Sequence, residues 1–102
     1  MSAPSGAAAA PIWHVYLLEC VDGTLYCGIT RDLARRVAQH NGLLPGGARY
    51  TRGRRPVRLA ASLPCADKGA ALRLERAVKA RPRAQKRLFL FAALNGGGDA
   101  PC

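Results

Sequence analysis

Apolar positions change their period several times along the chain, and each change marks an element. From Trp13 to Cys20 aromatic, β-branched and Leu residues crowd together, and after Val21-Asp22-Gly23 a second run follows, Thr24-Leu25-Tyr26-Cys27-Gly28-Ile29. Two β-prone runs around an Asp-Gly step predict a hairpin. The period then lengthens. Leu33, Ala34, Val37 and Ala38 recur at helical spacing, which predicts a first helix over roughly Arg31–His40, with Thr30 as its cap, Asp32 in its first turn and Asn41-Gly42 closing it. Arg36 and His40, four apart, share one shoulder of that helix.

Between Leu43 and Arg55 the sequence is rich in Gly, Pro and Arg and has no period, so a long basic loop is expected. Val57 to Leu63 alternates with period two and predicts a third strand beside the hairpin, ended by Pro64. Ala66 to Ala80 reads as a second helix with Ala70, Leu74, Ala77 and Val78 as its buried stripe and Glu75 just off it. Pro82 suits a first helical position, and a third helix over Arg83–Leu94 repeats Ala84, Leu88, Phe91 and Ala92 on one side. The predicted architecture is α+β, ββαβαα, with a small three-stranded antiparallel sheet flanked by helices. Residues 1–11 and 95–102 are Ala-, Gly- and Pro-rich without periodicity and read as disordered tails around one domain over 12–94.

Composition narrows the partner. The chain has 102 residues, enough for one modest core, and its net charge is +10. All sixteen basic residues lie between Arg31 and Arg87, where only Asp32, Asp67 and Glu75 oppose them, and thirteen of the sixteen are Arg. A planar guanidinium binds phosphate in a bidentate way, so the expected partner is a nucleic acid. No apolar run approaches the roughly 18 residues that cross a bilayer, and no membrane is expected. Cys20, Cys27, Cys65 and Cys102 include no pair at zinc or redox spacing, and no secretory signal precedes Ile12. A cytoplasmic, nucleoid-associated protein with reduced, buried thiols is the expectation.

Hydrolysis of a phosphodiester needs an activated water, cations against the charge of the pentavalent phosphorus, and usually a divalent ion at the leaving oxygen. Glu19 and Glu75 are the only glutamates, and the aspartates sit mostly at turns and helix starts, so a two-metal carboxylate cluster is not readily built; one ion on one Glu is. A tyrosine serves as base only if cations stabilise its phenolate, and Arg36 and His40 are available for that. Taken together, His14-Val15-Tyr16, Tyr26-Cys27-Gly28, Arg36 eight residues after Gly28, then His40, and Glu75 on a later helix resemble the GIY-YIG nuclease family over nearly all of 12–94. His40-Asn41-Gly42, Gly47-Ala48-Arg49 and Ala71-Leu72-Arg73-Leu74-Glu75 are similar to the Slx-type structure-selective nuclease subunits and to small stand-alone bacterial members. His14 replaces the first Gly of the signature, and Cys27 the Ile of its second half.

The resemblance implies a DNA endonuclease, with DNA repair as its setting, that holds one Mg or Mn ion on Glu75. It implies a tyrosine base, for which Tyr16 is the first choice, and leaves Tyr26 to orient water or phosphate. Arg36 would hold the scissile phosphate, and His40 would relay a proton or bind phosphate. Read without the family, Glu75 pairs with Lys79 one turn on. Arg49, Arg52, Arg54 and Arg55, with Tyr50 among them, form a basic loop suited to track a phosphate backbone and stack a base; Arg35 and Lys79 extend it. Nothing in the domain reads base edges, so the substrate is expected to be branched, nicked or single-stranded DNA, or an RNA, recognised by shape or through a partner protein. A catalytically silent DNA- or RNA-binding module of the same fold is the rival reading, and a basic ribosome-associated protein the third.

Strand parity tests the tyrosine roles. A two-residue Asp22-Gly23 turn would pair Val21 with Thr24 and send Tyr16 and Tyr26 to opposite faces. A three-residue loop with Gly23 left-handed pairs Leu18 with Tyr26 and Tyr16 with Gly28, and puts both phenols on one face with Arg36 and Glu75. The three-residue loop is predicted, with Gly28 leaving room for phosphate opposite Tyr16.

Overall fold

A computed structural model of the chain describes residues 12–95; both predicted tails, apart from Asn95, and Cys102 lie outside the described residues. In chain order the elements are β1 (Trp13–Glu19), β2 (Leu25–Thr30), α1 (Leu33–His40), α2 (Arg49–Arg52), β3 (Arg58–Cys65), α3 (Lys68–Lys79) and α4 (Arg83–Asn95). The three strands form one antiparallel sheet in the order β2-β1-β3. Among the described residues no helix is long and apolar enough to cross a membrane.

The hairpin follows the three-residue loop. Cys20 N–H donates to Thr24 O and Gly23 N–H to Cys20 O, each at 2.9 Å, and Gly23 takes φ +84°. Tyr16 therefore pairs with Gly28 and Leu18 with Tyr26. β1 is the central strand and is buried on both sides. Val15 and Leu17 point to a core closed by Ala71 and Val78 of α3 and Leu90 of α4; Tyr16 and Leu18 point the other way, to Cys20, Val57 and the α1 residues Leu33 and Val37. Helices thus cover the two faces of one small sheet. Beside β3 the ladder slips between Leu17, opposite Ala61, and Leu18, opposite Leu59, leaving Ala60 as the extra residue of a bulge.

Several local expectations change. Asp32, not Thr30, caps α1, accepting from Arg35 N–H at 3.0 Å, while Thr30 Oγ1 accepts from Asp32 N–H at 3.1 Å and shapes the approach. Ala34 of the predicted buried face is exposed, and the α1 residue that is fully buried is His40. The expected irregular loop contains α2, a single turn too short for any hydrophobic period to reveal. β3 runs through Pro64 to Cys65 because it is an edge strand, where a residue without an N–H is tolerated. In α4 the face carrying Leu88 and Phe91 is exposed and Leu90 enters the core, since the sheet and α3 already cover the opposite side. The three described thiols are free; Cys20 and Cys27 are buried and Cys65 half-buried.

Two polar devices close the structure. Asn41 treats Val57 as a strand partner would, its Nδ2 donating to Val57 O at 2.9 Å and its Oδ1 accepting from Val57 N–H at 2.7 Å. Lys86 Nζ donates to Val78 O, Lys79 O and Arg81 O at 2.7–3.0 Å, a cation on the carbonyl end of α3.

Two glycines separate backbone from packing. A Cβ at Gly23 would meet nothing within 4 Å, so Gly23→Ala should cost only the left-handed conformation, about 1 kcal/mol. A Cβ at Gly28 would lie 2.5 Å from the Tyr16 hydroxyl oxygen, so Gly28→Ala should cost more and also displace the phenol. Urea denaturation of both variants checks the order; equal losses would contradict it.

Candidate active site

Tyr16 and Tyr26 stand on adjacent strands with ring centroids 6.4 Å apart. α1 crosses their face and delivers two side chains from successive turns to the Tyr16 hydroxyl: His40 Nε2 lies 3.0 Å away, and Arg36 Nε donates at 3.4 Å. Behind His40, its Nδ1 is 2.8 Å from Thr51 Oγ1, and Thr51 donates in turn to Ala48 O at 3.1 Å within α2. Tyr26 packs against His40 at 5.0 Å and against Tyr50 at 5.6 Å. Four aromatic rings meet there, with the Arg36 guanidinium on the Tyr16 hydroxyl.

Burial sets the charge states. Tyr16 is only 1% exposed, and desolvation pushes its phenol up to about 12, the Arg36 hydrogen bond offsetting part of the rise. His40 is fully buried; desolvation first, then the Arg36 and Arg55 charges, hold its imidazole down at about 4. At neutral pH the pair is an uncharged phenol against an uncharged imidazole.

Arg36 is fixed by more than its contact with Tyr16. Its Nη1 donates to Gln39 Oε1 at 2.9 Å and to Gly46 O at 2.8 Å, which pins the guanidinium between α1 and the loop. Gln39 and Thr51 carried no signal in the sequence: one lies off the apolar stripe, and the other sits in a stretch that shows only Gly, Pro and Arg.

The basic loop divides. Arg49 and Arg52 on α2 and Arg35 on α1 are exposed. Arg54 turns inward: it pairs with Asp22 at 3.1 Å, donates to Tyr50 O at 2.8 Å and lies over the Tyr50 ring at 4.1 Å. Arg55 Nε donates to His40 O at 2.7 Å, and its guanidinium covers Gly42, where a Cβ would come within 2.6 Å of Nη1. These two cations hold the loop to the hairpin and to α1, and Tyr50 has Tyr26 and Arg54 against its ring.

Two expectations about the face need correction. Gly28 leaves no gap for phosphate, because the phenol of Tyr16 itself fills the space a side chain would take. Glu75 does not share the face of the tyrosines. It belongs to α3, which packs on the Val15 and Leu17 side, and its carboxylate pairs with Lys79 Nζ at 3.2 Å. Alternation explains this, since Cys27 points away from Tyr26 and toward α3. Burial, then the Glu75 charge, pushes the Cys27 thiol up to about 11. Among the described residues no three His, Cys, Asp or Glu side chains gather into a metal site.

The His40 environment makes stability depend on pH. An unfolded chain protonates His40 near 6.5 and the folded one only near 4, so the unfolded state binds more protons between those values. Stability should be level above pH 6.5 on this account and fall as pH drops toward 4, by on the order of 3 kcal/mol. Urea midpoints over that range should show a shallower loss for His40→Gln than for the wild type; identical slopes would mean that His40 is charged in the folded protein.

Comparison with known proteins places the arrangement. The GIY-YIG catalytic domain model matches residues 12–88. A UPF0213 protein of Desulfotalea psychrophila is 45% identical over 86 residues, covering 84% of this chain and 77% of its own length. One from Nitratidesulfovibrio vulgaris is 47% identical over 97 residues, 95% of this chain and 83% of the relative. The solution structure of a UPF0213 protein from Bacillus halodurans superposes with TM-score 0.50 at 37% identity, covering 88% of this chain and 94% of that one. With its sheet, its paired tyrosines and its α1 Arg and His in these positions, the chain belongs to the GIY-YIG family, a nuclease-type domain with a nucleic-acid substrate, and to the small UPF0213 proteins within it.

Proposed function

We propose that the protein is a divalent-metal-dependent endonuclease that hydrolyses phosphodiester bonds of DNA according to shape rather than sequence. The observation that carries this reading is the Tyr16 hydroxyl held between His40 Nε2 and Arg36 Nε on the face that also carries Tyr26. A free phenolate is out of reach for a phenol near 12, so Tyr16 acts as base only in a relay. It takes a proton from the attacking water while its own passes to His40 Nε2. The imidazole is uncharged at neutral pH, and it holds that proton only while negative charge developing on the phosphate offsets the burial that keeps it near 4. Arg36, already fixed at Nε and Nη1, opposes the charge that develops on the phosphate. Arg35, Arg49 and Arg52 are exposed cations for the backbone, and among the described residues there is no inserted finger or extra helix to read bases.

Glu75 fits a hard divalent ion of the Mg or Mn kind, which needs only one or two carboxylates and fills its remaining positions with water and phosphate oxygens. Its carboxylate is 18% exposed and held in place by Lys79. When bound, the ion would supply positive charge against the phosphate backbone beside that carboxylate. Lys79 pairs with that carboxylate, and an ion held there would take its place as the partner of Glu75.

One observation favours a second assignment of the tyrosines. Tyr16 is almost wholly buried whereas Tyr26 is half-buried, which suits Tyr26 to meet the water and Tyr16 to hold His40. Tyr16→Phe and Tyr26→Phe separate the two, since the variant that removes the base loses the larger factor in kcat.

The test is incubation with branched, nicked, single-stranded and plain duplex DNA, with and without Mg or Mn. Metal-dependent cutting that differs among shapes is expected, and binding without cutting would leave only the silent module. Glu75→Gln should abolish cutting and leave DNA affinity nearly unchanged. If Glu75 only pairs with Lys79, the variant keeps its activity and loses at most about 0.5 kcal/mol of stability.

A further inference from the structure

We infer that Thr51 is a positioning residue that selects the ring tautomer of His40 and thereby the direction in which the Tyr16 proton can move. This rests on the reading of Tyr16 and His40 as a proton relay and goes beyond it, because the relay works in one direction only. If His40 carries its proton on Nε2, it donates to Tyr16. The Tyr16 oxygen then accepts from both His40 and Arg36, and its own proton points at the substrate side, where it serves as a donor and not as a base. If His40 carries the proton on Nδ1, Nε2 presents a lone pair and Tyr16 donates to it.

Thr51 decides between the two by hydrogen count. A threonine hydroxyl has one proton, and here it goes to Ala48 O at 3.1 Å, a carbonyl that can only accept. The same oxygen lies 2.8 Å from His40 Nδ1, so it is left to accept, and Nδ1 must be the protonated nitrogen. Both groups are fully buried, so no solvent offers His40 another partner, and an unpaired donor or acceptor there would be costly. The chain of donation runs Tyr16 O–H to His40 Nε2, His40 Nδ1–H to Thr51 Oγ1, and Thr51 O–H to Ala48 O. Each member has one proton to give and gives it away from the substrate.

The placement of Thr51 gives the loop a second task. α2 is a single turn on which Arg49 and Arg52 face outward and Thr51 faces in. The Ala48 carbonyl is the N-cap position of that same turn, so the acceptor that orients Thr51 exists only while α2 is formed. Arg55, on His40 O, and Arg36, on Gly46 O, hold the loop against α1 from either side of it.

The experiment reads the tautomer directly. Long-range proton–nitrogen NMR correlations of the full chain at pH 7 distinguish a pyrrole-type from a pyridine-type nitrogen at each ring position, with no need for catalysis. The wild type should show His40 with a protonated Nδ1. Thr51→Val, nearly isosteric but unable to accept, should move the proton to Nε2 or give a mixture, and Thr51→Ser should restore the wild-type pattern. In the cleavage assay Thr51→Val should lose at least about tenfold in kcat with KM little changed, and Thr51→Ser should recover most of it. A protonated Nε2 in the wild type, or an unchanged pattern in a folded Thr51→Val, would overturn the assignment. Absence of cleavage by the wild type would instead count against the relay as catalysis and leave the tautomer result standing. Should Thr51→Val fail to fold, the wild-type and Thr51→Ser spectra still decide which nitrogen is protonated.

Discussion

Side chains alternate along a strand, so the length of the loop Val21-Asp22-Gly23 governs what each face of the sheet receives. With three residues and a left-handed Gly23, Tyr16 faces Gly28 across the ladder and Tyr26 lies diagonally beside it. One residue fewer would turn Tyr26 toward α3 and place Cys27 under α1. The contacts of the two tyrosines depend on this parity. Arg36 and His40 reach the Tyr16 hydroxyl because α1 covers the even-numbered face of β1, and the hydroxyl reaches them because Gly28 has no side chain in its path. Asp22 and Arg54 then tie the loop to the region that carries Thr51, so the turn and the far end of the hydrogen-bond chain are joined by one ion pair of 3.1 Å.

A cation surplus of this size would suggest a surface given over to phosphate, yet several arginines are used internally. Arg54 and Arg55 organise the loop, Arg58 and Arg87 both reach Glu19 Oε1, at 2.6 and 3.2 Å, and Arg83 donates to Gly23 O. A guanidinium suits these tasks because it has five donors in a rigid fork and keeps its charge in any surroundings. Such a chain has few carboxylates to organise its loops. Beside those ion pairs, Arg54, Arg55 and Arg83 bind backbone carbonyls, neutral acceptors that leave the positive field intact for a polyanion.

The sequence made the hairpin, its register and the pairing of Arg36 with His40 readable, because each follows from a short-range rule: strand parity, one turn signal, or a four-residue helical step. α2 and Thr51 were not readable. One helical turn has no period, and Thr51 is defined by partners eleven residues upstream and three upstream, one of them a backbone carbonyl. The inward turn of Leu90 in place of Leu88 and Phe91 escaped for a related reason. α4 carries apolar residues around much of its circumference, and only the packing of α3 and β3 selects which of them is buried. Glu75 shows the limit from the other side. Its spacing suggested the tyrosine face, whereas the face is set by where α3 packs, a property of the whole sheet.

The position of β2 at the edge of the sheet gives that last difference its meaning. β2 is an edge strand, with the Tyr26 phenol on one face and Cys27, packed toward α3, on the other. The tyrosines and Glu75 of the proposed function therefore lie on opposite faces of the sheet and not within one enclosed pocket. A rigid duplex lying flat on either face would engage one part alone. In that proposed function a strand end, a nick or a branch would let the backbone turn around the edge of β2 and bring successive phosphates to the two faces. Preference for shape, in the proposed function, then needs no reader of bases; it follows from the edge that the substrate has to go around.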